Sequence, residues 1–397
     1  MANLLWGNVY YQDQFAGVLS EEPGNRASFT YDPSYLSSAF PPIAFTLPKQ
    51  IDAHISQLGL HPFFDNLVAE GWLEHAQTRI LGKRIMSRLE LLLAFGGDCA
   101  GAVSVRDPDP ARYSGLMLDI EDPKERALFA SQASLSGVQP KLALIKQGNK
   151  MVPAKINQLS THIAKFPSRG HDNLVVNEYL TTLAFKALLP NDQCVELSIG
   201  EVKGINEQAL IIKRFDRSNQ ERLHFEELNQ LLGYPSKAKY NGSYKEMANW
   251  IHQVQEGQVT ELYRLYTRIL AGILLGNTDM HLKNFAMAYT NEGIELSPSY
   301  DQVSAVIYDY KTMALTIAGA SNYPITDLKQ KHILTLGTEF KLSKNVVMMA
   351  VTQLGQNLSN AKDAIAQSKL GTTTLKNILI TQLEKRWNGT FALIGNH

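Results

Sequence analysis

The chain has little of what several protein classes require. Its 397 residues contain two cysteines, Cys99 and Cys194, which excludes a disulfide framework and a cysteine-rich zinc site and is typical of a reducing cytosol. Neither charge sign dominates, because 38 basic residues balance 38 acidic ones, so no global basic field favours direct binding of nucleic acid. The most apolar run, residues 269–275, is far shorter than the roughly 20 residues that cross a bilayer.

Targeting signals are also missing from the pattern. Residues 1–6 have neither a basic start nor a long apolar core, so we expect no secretory signal, no membrane association and a cytoplasmic location. A hydrophobic content of 44% with 19% charged residues is ordinary for a globular protein.

The order of the patterns predicts an α+β protein with two lobes. Residues 1–50 combine β-forming and aromatic residues with turn signals, which predicts a small N-terminal β-rich subdomain. Residues 51–216 predict an N-lobe that carries a phosphate-covering loop and nucleotide-binding strands, with helical spacing over residues 51–97. Residues 217–397 predict a mostly helical C-lobe with the catalytic loop and a metal site.

The most informative stretch is residues 277–284, together with Asp301. Asp279 and Asn284 have the Asp-x-x-x-x-Asn spacing of the protein-kinase catalytic loop. In phosphoryl transfer one carboxylate orients the acceptor hydroxyl and takes its proton, while an amide oxygen and a second carboxylate hold Mg²⁺ on the nucleotide phosphates. We therefore interpret Asp279 as the catalytic carboxylate and Asn284 and Asp301 as magnesium ligands.

Two further residues of this stretch receive roles. Lys283 is expected near the γ-phosphate and the developing charge. We also count His281 among the predicted nucleotide-binding residues. We expect its side chain to pack the loop and not to act as a general base. The alternative is a loop of ordinary turn residues after a helix end, with Asp301 as a helix cap or a surface residue.

The predicted N-lobe offers residues for ATP. Lys165 lies in an alternating strand and is expected to neutralise the α- and β-phosphates, although a solvated lysine on a strand has the same pattern. Lys213 and Phe215 end a strand where the lobes should join, and we expect this segment to contact adenine. An ordinary strand end with charged flanks explains the charges of that segment equally well.

A hydroxyl-rich loop covers residues 134–141. Ser136, Gly137 and Val138 are expected to cover the nucleotide phosphates with backbone N–H groups. The loop is neither a Walker loop nor the usual glycine-rich kinase loop, and by its pattern alone it is a serine-rich turn.

These pieces in this order resemble the HipA family, the serine/threonine kinase toxins of bacterial type II toxin–antitoxin modules. The resemblance implies a bilobed, protein-kinase-like fold, with ATP and Mg²⁺ as cofactors and the roles given above for Asp279, Asn284, Asp301 and Lys165. The segments that carry it are residues 134–141, 161–165, 214–217, 277–284 and 300–305.

The resemblance also implies substrates and partners. The acceptor would be a protein, an aminoacyl-tRNA synthetase, whose phosphorylation inhibits translation and growth. A HipB-like helix-turn-helix antitoxin would bind the chain, and DNA would be contacted only through that antitoxin. Ser134 falls at the position of inactivating autophosphorylation, with Ser136 as a second hydroxyl.

Two alternatives stay open at this point: a small-molecule or lipid kinase, and a non-catalytic kinase-like scaffold that binds an antitoxin. The presence of Asp279, Asn284, Asp301 and Lys165 argues against the scaffold. No apolar or strongly basic membrane face is evident in the sequence, which argues against the lipid kinase.

Overall fold

The computed structural model describes residues 4–82, 87–113, 122–131, 133–135, 139–155, 158–218, 221–254 and 259–392. The chain forms two compact units. The first contains Met1–Ser168 and Leu197–Ser236, and the second contains Arg169–Glu196 and Lys237–His397. The predicted domain boundaries after residues 50 and 216 stay predictions.

The first unit begins with a five-stranded antiparallel sheet. In spatial order its strands are His54–Ser56, Arg26–Tyr31, Gln14–Glu22, Trp6–Tyr11 and Val103–Arg106. Alternate residues of these strands are buried, for example Val9 and Tyr11, as expected for a sheet with one face on a core. Asn25 takes a left-handed φ of 57° in the turn that joins Gln14–Glu22 to Arg26–Tyr31.

The helices of the first unit lie between and after the sheet strands along the chain. Where one long helical pattern was predicted over residues 51–97, the described part of this range contains a short strand and separate helices. Pro62 begins one of these helices at its first position, where proline is favoured, and Gly71 begins the next. The bounds are Pro33–Leu36, Pro62–Leu67, Gly71–Ile80, Arg88–Phe95, Pro123–Ser131 and Leu228–Leu231.

A closed barrel completes the first unit. In spatial order its strands are Ile205–Lys213, His162–Lys165, Lys141–Gln147, Lys150–Pro153 and Leu197–Val202. Shorter strands follow at Arg217–Ser218, Glu221–Arg222 and Phe225–Glu227. Side chains of the N-terminal sheet and the barrel share one buried core, which includes Phe29, Phe64, Leu144 and Ile211.

A cluster of buried aspartates and arginines also lies in the first unit. Asp98 accepts from Arg217 Nη2 at 2.8 Å and lies 3.4 Å from Nη1 of both Arg214 and Arg222. Asp216 accepts from Arg214 Nη2 at 2.7 Å and from Arg217 Nη1 at 2.6 Å. Each buried carboxylate therefore has guanidinium partners, which is the condition under which charges are tolerated in a protein interior.

The second unit is mainly helical. Its helices are Leu174–Leu188, Tyr244–Val254, Val259–Leu275, Gln330–Glu339, Lys344–Gln356, Leu358–Ala366 and Thr373–Thr390, and its hairpin pairs Ala286–Thr290 with Gly293–Leu296. Leu262, Leu265, Ile269 and Ile273 are buried at helical spacing along Val259–Leu275. The predicted α+β class, with a β-rich N-terminal region and a helical C-terminal region, is confirmed. Among the described residues, no helix is long and apolar enough to span a bilayer.

Candidate active site

The site begins where the helix Val259–Leu275 ends. Gly276 follows with a left-handed φ of 75°, which glycine adopts without steric cost. The Gly276 N–H donates to Ile273 O at 3.1 Å and the Asn277 N–H donates to Gly272 O at 2.9 Å. This pair of bonds is a Schellman cap, which satisfies helix-end carbonyls and turns the chain sharply. The cap delivers Asn277 directly to the start of the predicted catalytic loop.

Asn277 connects Asp279 and Asp301, the two carboxylates with predicted site roles in the second unit. It is only 1% exposed. Its Oδ1 accepts from the Asp279 backbone N–H at 3.1 Å. Its Nδ2 donates to the Asp301 backbone carbonyl at 3.3 Å and to Gln302 Oε1 at 3.4 Å. One buried amide therefore fixes the backbone at both Asp279 and Asp301.

The loop closes on itself through the Asp279 carbonyl. This oxygen accepts from Asn284 Nδ2 at 2.7 Å and from the His281 N–H at 2.9 Å. The Lys283 N–H donates to His281 Nδ1 at 3.3 Å at the start of the 3₁₀ turn Leu282–Asn284. Because the amino group of Asn284 bonds to the loop, its amide oxygen is the atom left for a ligand, as a metal-binding asparagine requires.

Asp301 has an unusual backbone. Its φ is 55°, in the left-handed region, which aspartate tolerates better than most residues but which stores strain. The preceding residue, Tyr300, donates its hydroxyl to the Lys283 carbonyl at 3.0 Å. The structure therefore brings five residues with predicted roles into one hydrogen-bonded region: Asp279, His281, Lys283, Asn284 and Asp301.

Two tyrosines that no sequence pattern predicted contact the same loop. Tyr240 donates its hydroxyl to Asp279 Oδ1 at 3.0 Å, and Tyr244 donates to the Met280 carbonyl at 3.2 Å. Burial, and secondarily the Asp279 charge, raises the pKa of the Tyr244 phenol above its ordinary value. The phenol is therefore a donor at all physiological pH values. No spacing rule links Tyr240 to a carboxylate 39 positions later, so the sequence held no signal for this contact.

The segment after Asp301 is held by the helix Leu174–Leu188. Asn177 donates from Nδ2 to the Ser304 carbonyl at 3.2 Å and accepts from the Ser304 N–H on Oδ1 at 3.2 Å. Thr181 donates its hydroxyl to the same Oδ1 at 2.9 Å. This reciprocal pair is a second support for the backbone that presents Asp301.

Two predicted nucleotide-binding residues of the first unit, Lys165 and Lys213, lie on neighbouring barrel strands, and Phe215 follows the end of one of them. Lys165 pairs with Leu210 in the ladder, and Lys213 pairs with His162. Because side chains alternate along a strand, Lys165 and Lys213 project from opposite faces of this ladder. Lys165 is buried, Lys213 is exposed, and Phe215 packs its ring against Phe225 with centroids 4.8 Å apart.

The hydroxyl-rich loop is described only in part. Ser134 is 3% exposed and donates its hydroxyl to the Leu67 carbonyl at 2.7 Å. Ser136, Gly137 and Val138, for which phosphate contacts and a second phosphorylation site were predicted, lie outside the described residues.

Known protein families and relatives match nearly the whole length of the chain. The HipA N-terminal domain matches residues 7–106, and the HipA-like C-terminal domain matches residues 133–362. The serine/threonine-protein kinase toxin HipA of Shewanella oneidensis is 26% identical over 396 residues, covering 91% of this chain and 89% of that protein. The protein Y4mE of Sinorhizobium fredii is 23% identical, covering 89% of this chain and 90% of its own length.

A solved structure shares the fold. A chain in the complex of HipA, HipB and operator DNA from Shewanella oneidensis MR-1 superimposes with a TM-score of 0.76. Its identity with this chain is 21%, and the match covers 98% of this chain and 100% of that one. The C-terminal family domain alone spans more than half of the sequence. The chain belongs to the HipA family.

Proposed function

We propose that this chain is an ATP-dependent serine/threonine protein kinase that transfers the γ-phosphate to a protein hydroxyl. The observation that carries the proposal is the buried Asn277 amide, which fixes Asp279 and Asp301 at an Asp-x-x-x-x-Asn loop. The relative from Shewanella oneidensis, named a serine/threonine-protein kinase toxin, supports the same activity.

The residues of the second unit have distinct roles in this proposal. Asp279 orients the acceptor hydroxyl and takes its proton as the bond to phosphorus forms. Lys283 stabilises negative charge on the transferred group. The Asp301 carboxylate and the Asn284 amide oxygen are hard oxygen donors that suit Mg²⁺, which when bound would neutralise phosphate charge. His281 holds the loop through its bond with the Lys283 N–H.

The residues of the first unit bind ATP in this proposal. Lys165 neutralises the α- and β-phosphates, and a buried lysine on a strand is held rigidly enough for this role. The segment of Lys213 and Phe215 contacts adenine. Ser136, Gly137 and Val138 cover the phosphates with backbone N–H groups.

Because the chain belongs to the HipA family, the proposal also includes a protein substrate, an antitoxin partner and inhibition of growth. The acceptor protein is an aminoacyl-tRNA synthetase, and its phosphorylation in the cytoplasm inhibits translation and slows growth. A HipB-like helix-turn-helix antitoxin binds this chain, and DNA is contacted only through that antitoxin. The Shewanella oneidensis structure, which contains HipA, HipB and operator DNA, supports this arrangement. Autophosphorylation at Ser134 or Ser136 switches the kinase off.

Labelled ATP in a bacterial lysate tests the activity. The purified full-length chain is incubated with Mg²⁺, γ-labelled ATP and lysate, and labelled proteins are identified by mass spectrometry. Asp279→Asn should lower protein labelling by roughly 10²-fold or more, because the acceptor hydroxyl loses its base. Asp363→Asn, the same change at an exposed helical position, is the matched control.

Each result of this experiment decides between the candidate functions. Label in a synthetase supports the full proposal. Label only in small molecules or in the lipid extract supports a small-molecule or lipid kinase. No label above the Asp279→Asn background from a folded chain contradicts kinase activity and favours the scaffold.

A further inference from the structure

The segment 239–244, just before and at the start of the helix Tyr244–Val254, lies against the catalytic loop. The Leu282 N–H donates to the Lys239 carbonyl at 3.2 Å. Gly242 lets the Leu282 side chain approach, since a Cβ at position 242 would come within 2.8 Å of Leu282 Cδ1. Together with the bond from Tyr244 to the Met280 carbonyl, these contacts fix the segment 239–244 against the loop.

Tyr240 is the residue of this segment that reaches a proposed catalytic group. Its hydroxyl lies 3.0 Å from Asp279 Oδ1. Its ring meets the His281 ring edge to face, with centroids 5.1 Å apart and an interplanar angle of 85°. The Lys239 ammonium lies 5.5 Å from the same ring centroid. Although 48% of Tyr240 is exposed, both its backbone and its ring are held in place.

We propose that Tyr240 is a positioning residue that fixes the orientation of the Asp279 carboxylate toward the acceptor hydroxyl. The inference rests on the proposed role of Asp279. The terminal torsion of an aspartate is broad, so a carboxylate at a loop rotates unless a partner holds it. A phenol that donates to one carboxylate oxygen makes a charge-assisted bond and narrows this rotation.

The exposed half of Tyr240 adds a consequence for the acceptor. The Tyr240 hydroxyl bonds to the carboxylate that receives the acceptor proton in this proposal, and about half of the residue is exposed to solvent. A carboxylate held in this way presents its other oxygen to a serine or threonine hydroxyl in one orientation. Positioning of this kind acts on turnover, because a small misplacement of reacting groups slows a reaction steeply.

The test compares two tyrosine variants of the full-length chain. Tyr240→Phe removes the hydroxyl and keeps the ring. Tyr263→Phe is the matched control, because Tyr263 donates its hydroxyl to Gln353 Oε1 at 2.8 Å in the same unit and is not part of the proposed site. Phosphoryl transfer from Mg·ATP to the purified protein that the wild-type chain labels in the lysate gives kcat and the KM for ATP. Thermal unfolding of each variant is measured in parallel.

We expect Tyr240→Phe to lower kcat about tenfold, which corresponds to the loss of one orienting hydrogen bond in a site. Its KM for ATP and its unfolding temperature should match those of Tyr263→Phe. A kcat equal to that of the control overturns the positioning role. A lowered unfolding temperature with an unchanged kcat also overturns it, because it assigns Tyr240 to stability.

The activity of the wild type, compared with that of Asp279→Asn, distinguishes a failure of this inference from a failure of the proposed function. If the wild type transfers phosphate and Asp279→Asn does not, a result with Tyr240→Phe bears on Tyr240 alone. If the wild type and Asp279→Asn have the same activity, the role of Asp279 is wrong and the inference about Tyr240 falls with it.

Discussion

Arg386 donates its Nε hydrogen to the carbonyl oxygen of Leu274, which lies 2.8 Å away and 112 positions earlier in the chain. Leu274 is in the last turn of the helix Val259–Leu275, where the helix dipole is negative. Burial lowers the pKa of Arg386 to about 10, which still leaves the side chain charged near neutral pH. A cation from the helix Thr373–Thr390 thus holds the helix end from which the predicted catalytic loop starts.

We expect Arg386→Met to destabilise the second unit by about 1–3 kcal/mol, because the buried Leu274 carbonyl loses its side-chain donor. Turnover should fall as well, since the loop begins two residues later at Gly276. Thermal unfolding and phosphoryl transfer measure the two effects. Lys385→Met, at the exposed neighbouring position, is the control and should change neither quantity. Full activity and wild-type stability in Arg386→Met would contradict the anchoring role.

Gly276 should not tolerate a side chain. A Cβ there would come within 2.6 Å of both Arg386 Nη2 and Val306 Cγ1, and the φ of 75° disfavours alanine further. Gly276→Ala should therefore cost about 1–3 kcal/mol of stability and lower activity. In Gly389→Ala the new methyl meets nothing within 4 Å, and a helix gains about 0.5–1 kcal/mol from this change. Equal unfolding temperatures for Gly276→Ala and Gly389→Ala would contradict the close packing of Arg386 and Val306 around Gly276.

The buried charge cluster makes stability depend on acid pH. Burial alone would raise the pKa of Asp98, but Arg214, Arg217 and Arg222 outweigh it and hold the pKa below its ordinary value. Arg214 and Arg217 likewise lower the pKa of Asp216 against burial. A lowered pKa in the folded state contributes stability that is complete above the unfolded value of about 3.9 and is lost as the pH falls through the folded value.

Asp98→Asn should lower the free energy of unfolding by about 3–5 kcal/mol at pH 7, because the buried Arg222 loses its carboxylate partner and Arg214 and Arg217 keep only Asp216. The variant should also lose less stability than the wild type between pH 5 and the acid range, roughly pH 2–3, because one titrating group is gone. Urea unfolding across this range measures both effects, with Asp363→Asn as the control. Parallel pH curves for wild type and Asp98→Asn would refute the assignment.

Phosphorylation of Ser134 requires a local rearrangement. Its hydroxyl is buried against the Leu67 carbonyl, so the serine must leave this bond before it can accept phosphate. A phosphate of about −1.5 to −2 charges cannot return to the same buried position beside a carbonyl oxygen, and it would repel the ATP phosphates. We expect mass spectrometry after incubation with Mg·ATP to find phosphate at Ser134 or Ser136, and activity to be lost with it.

Ser134→Ala combined with Ser136→Ala should abolish this modification, and Asp279→Asn should lack it. Phosphate absent from both serines in active enzyme, or equally abundant in Asp279→Asn, would contradict autoregulation at this loop.

Sequence patterns predicted the parts of the fold and of the candidate site that depend on residues close together in the chain. The loop Asp279–Asn284 was predictable because turn chemistry after a helix end and a fixed spacing both lie within eight residues of sequence, whereas its catalytic role stays a prediction. Tyr240, Asn177 and Arg386 were not, since each reaches the site from another helix or segment and no periodicity encodes that contact. Arg214 and Asp216 looked like charged flanks of a strand end, whereas mutual pairing lets them be buried.

The span of the buried cluster also has a consequence during synthesis. Asp98 is made 116 residues before its partner Arg214. At about 5–20 residues per second, roughly 6–23 s pass on the ribosome before that guanidinium exists. Over this interval Asp98 must stay hydrated, because an unpaired carboxylate resists burial. We therefore expect the surroundings of Asp98 to be buried only after Arg214 has been made, so that this part of the nascent chain stays accessible to chaperones and proteases until then.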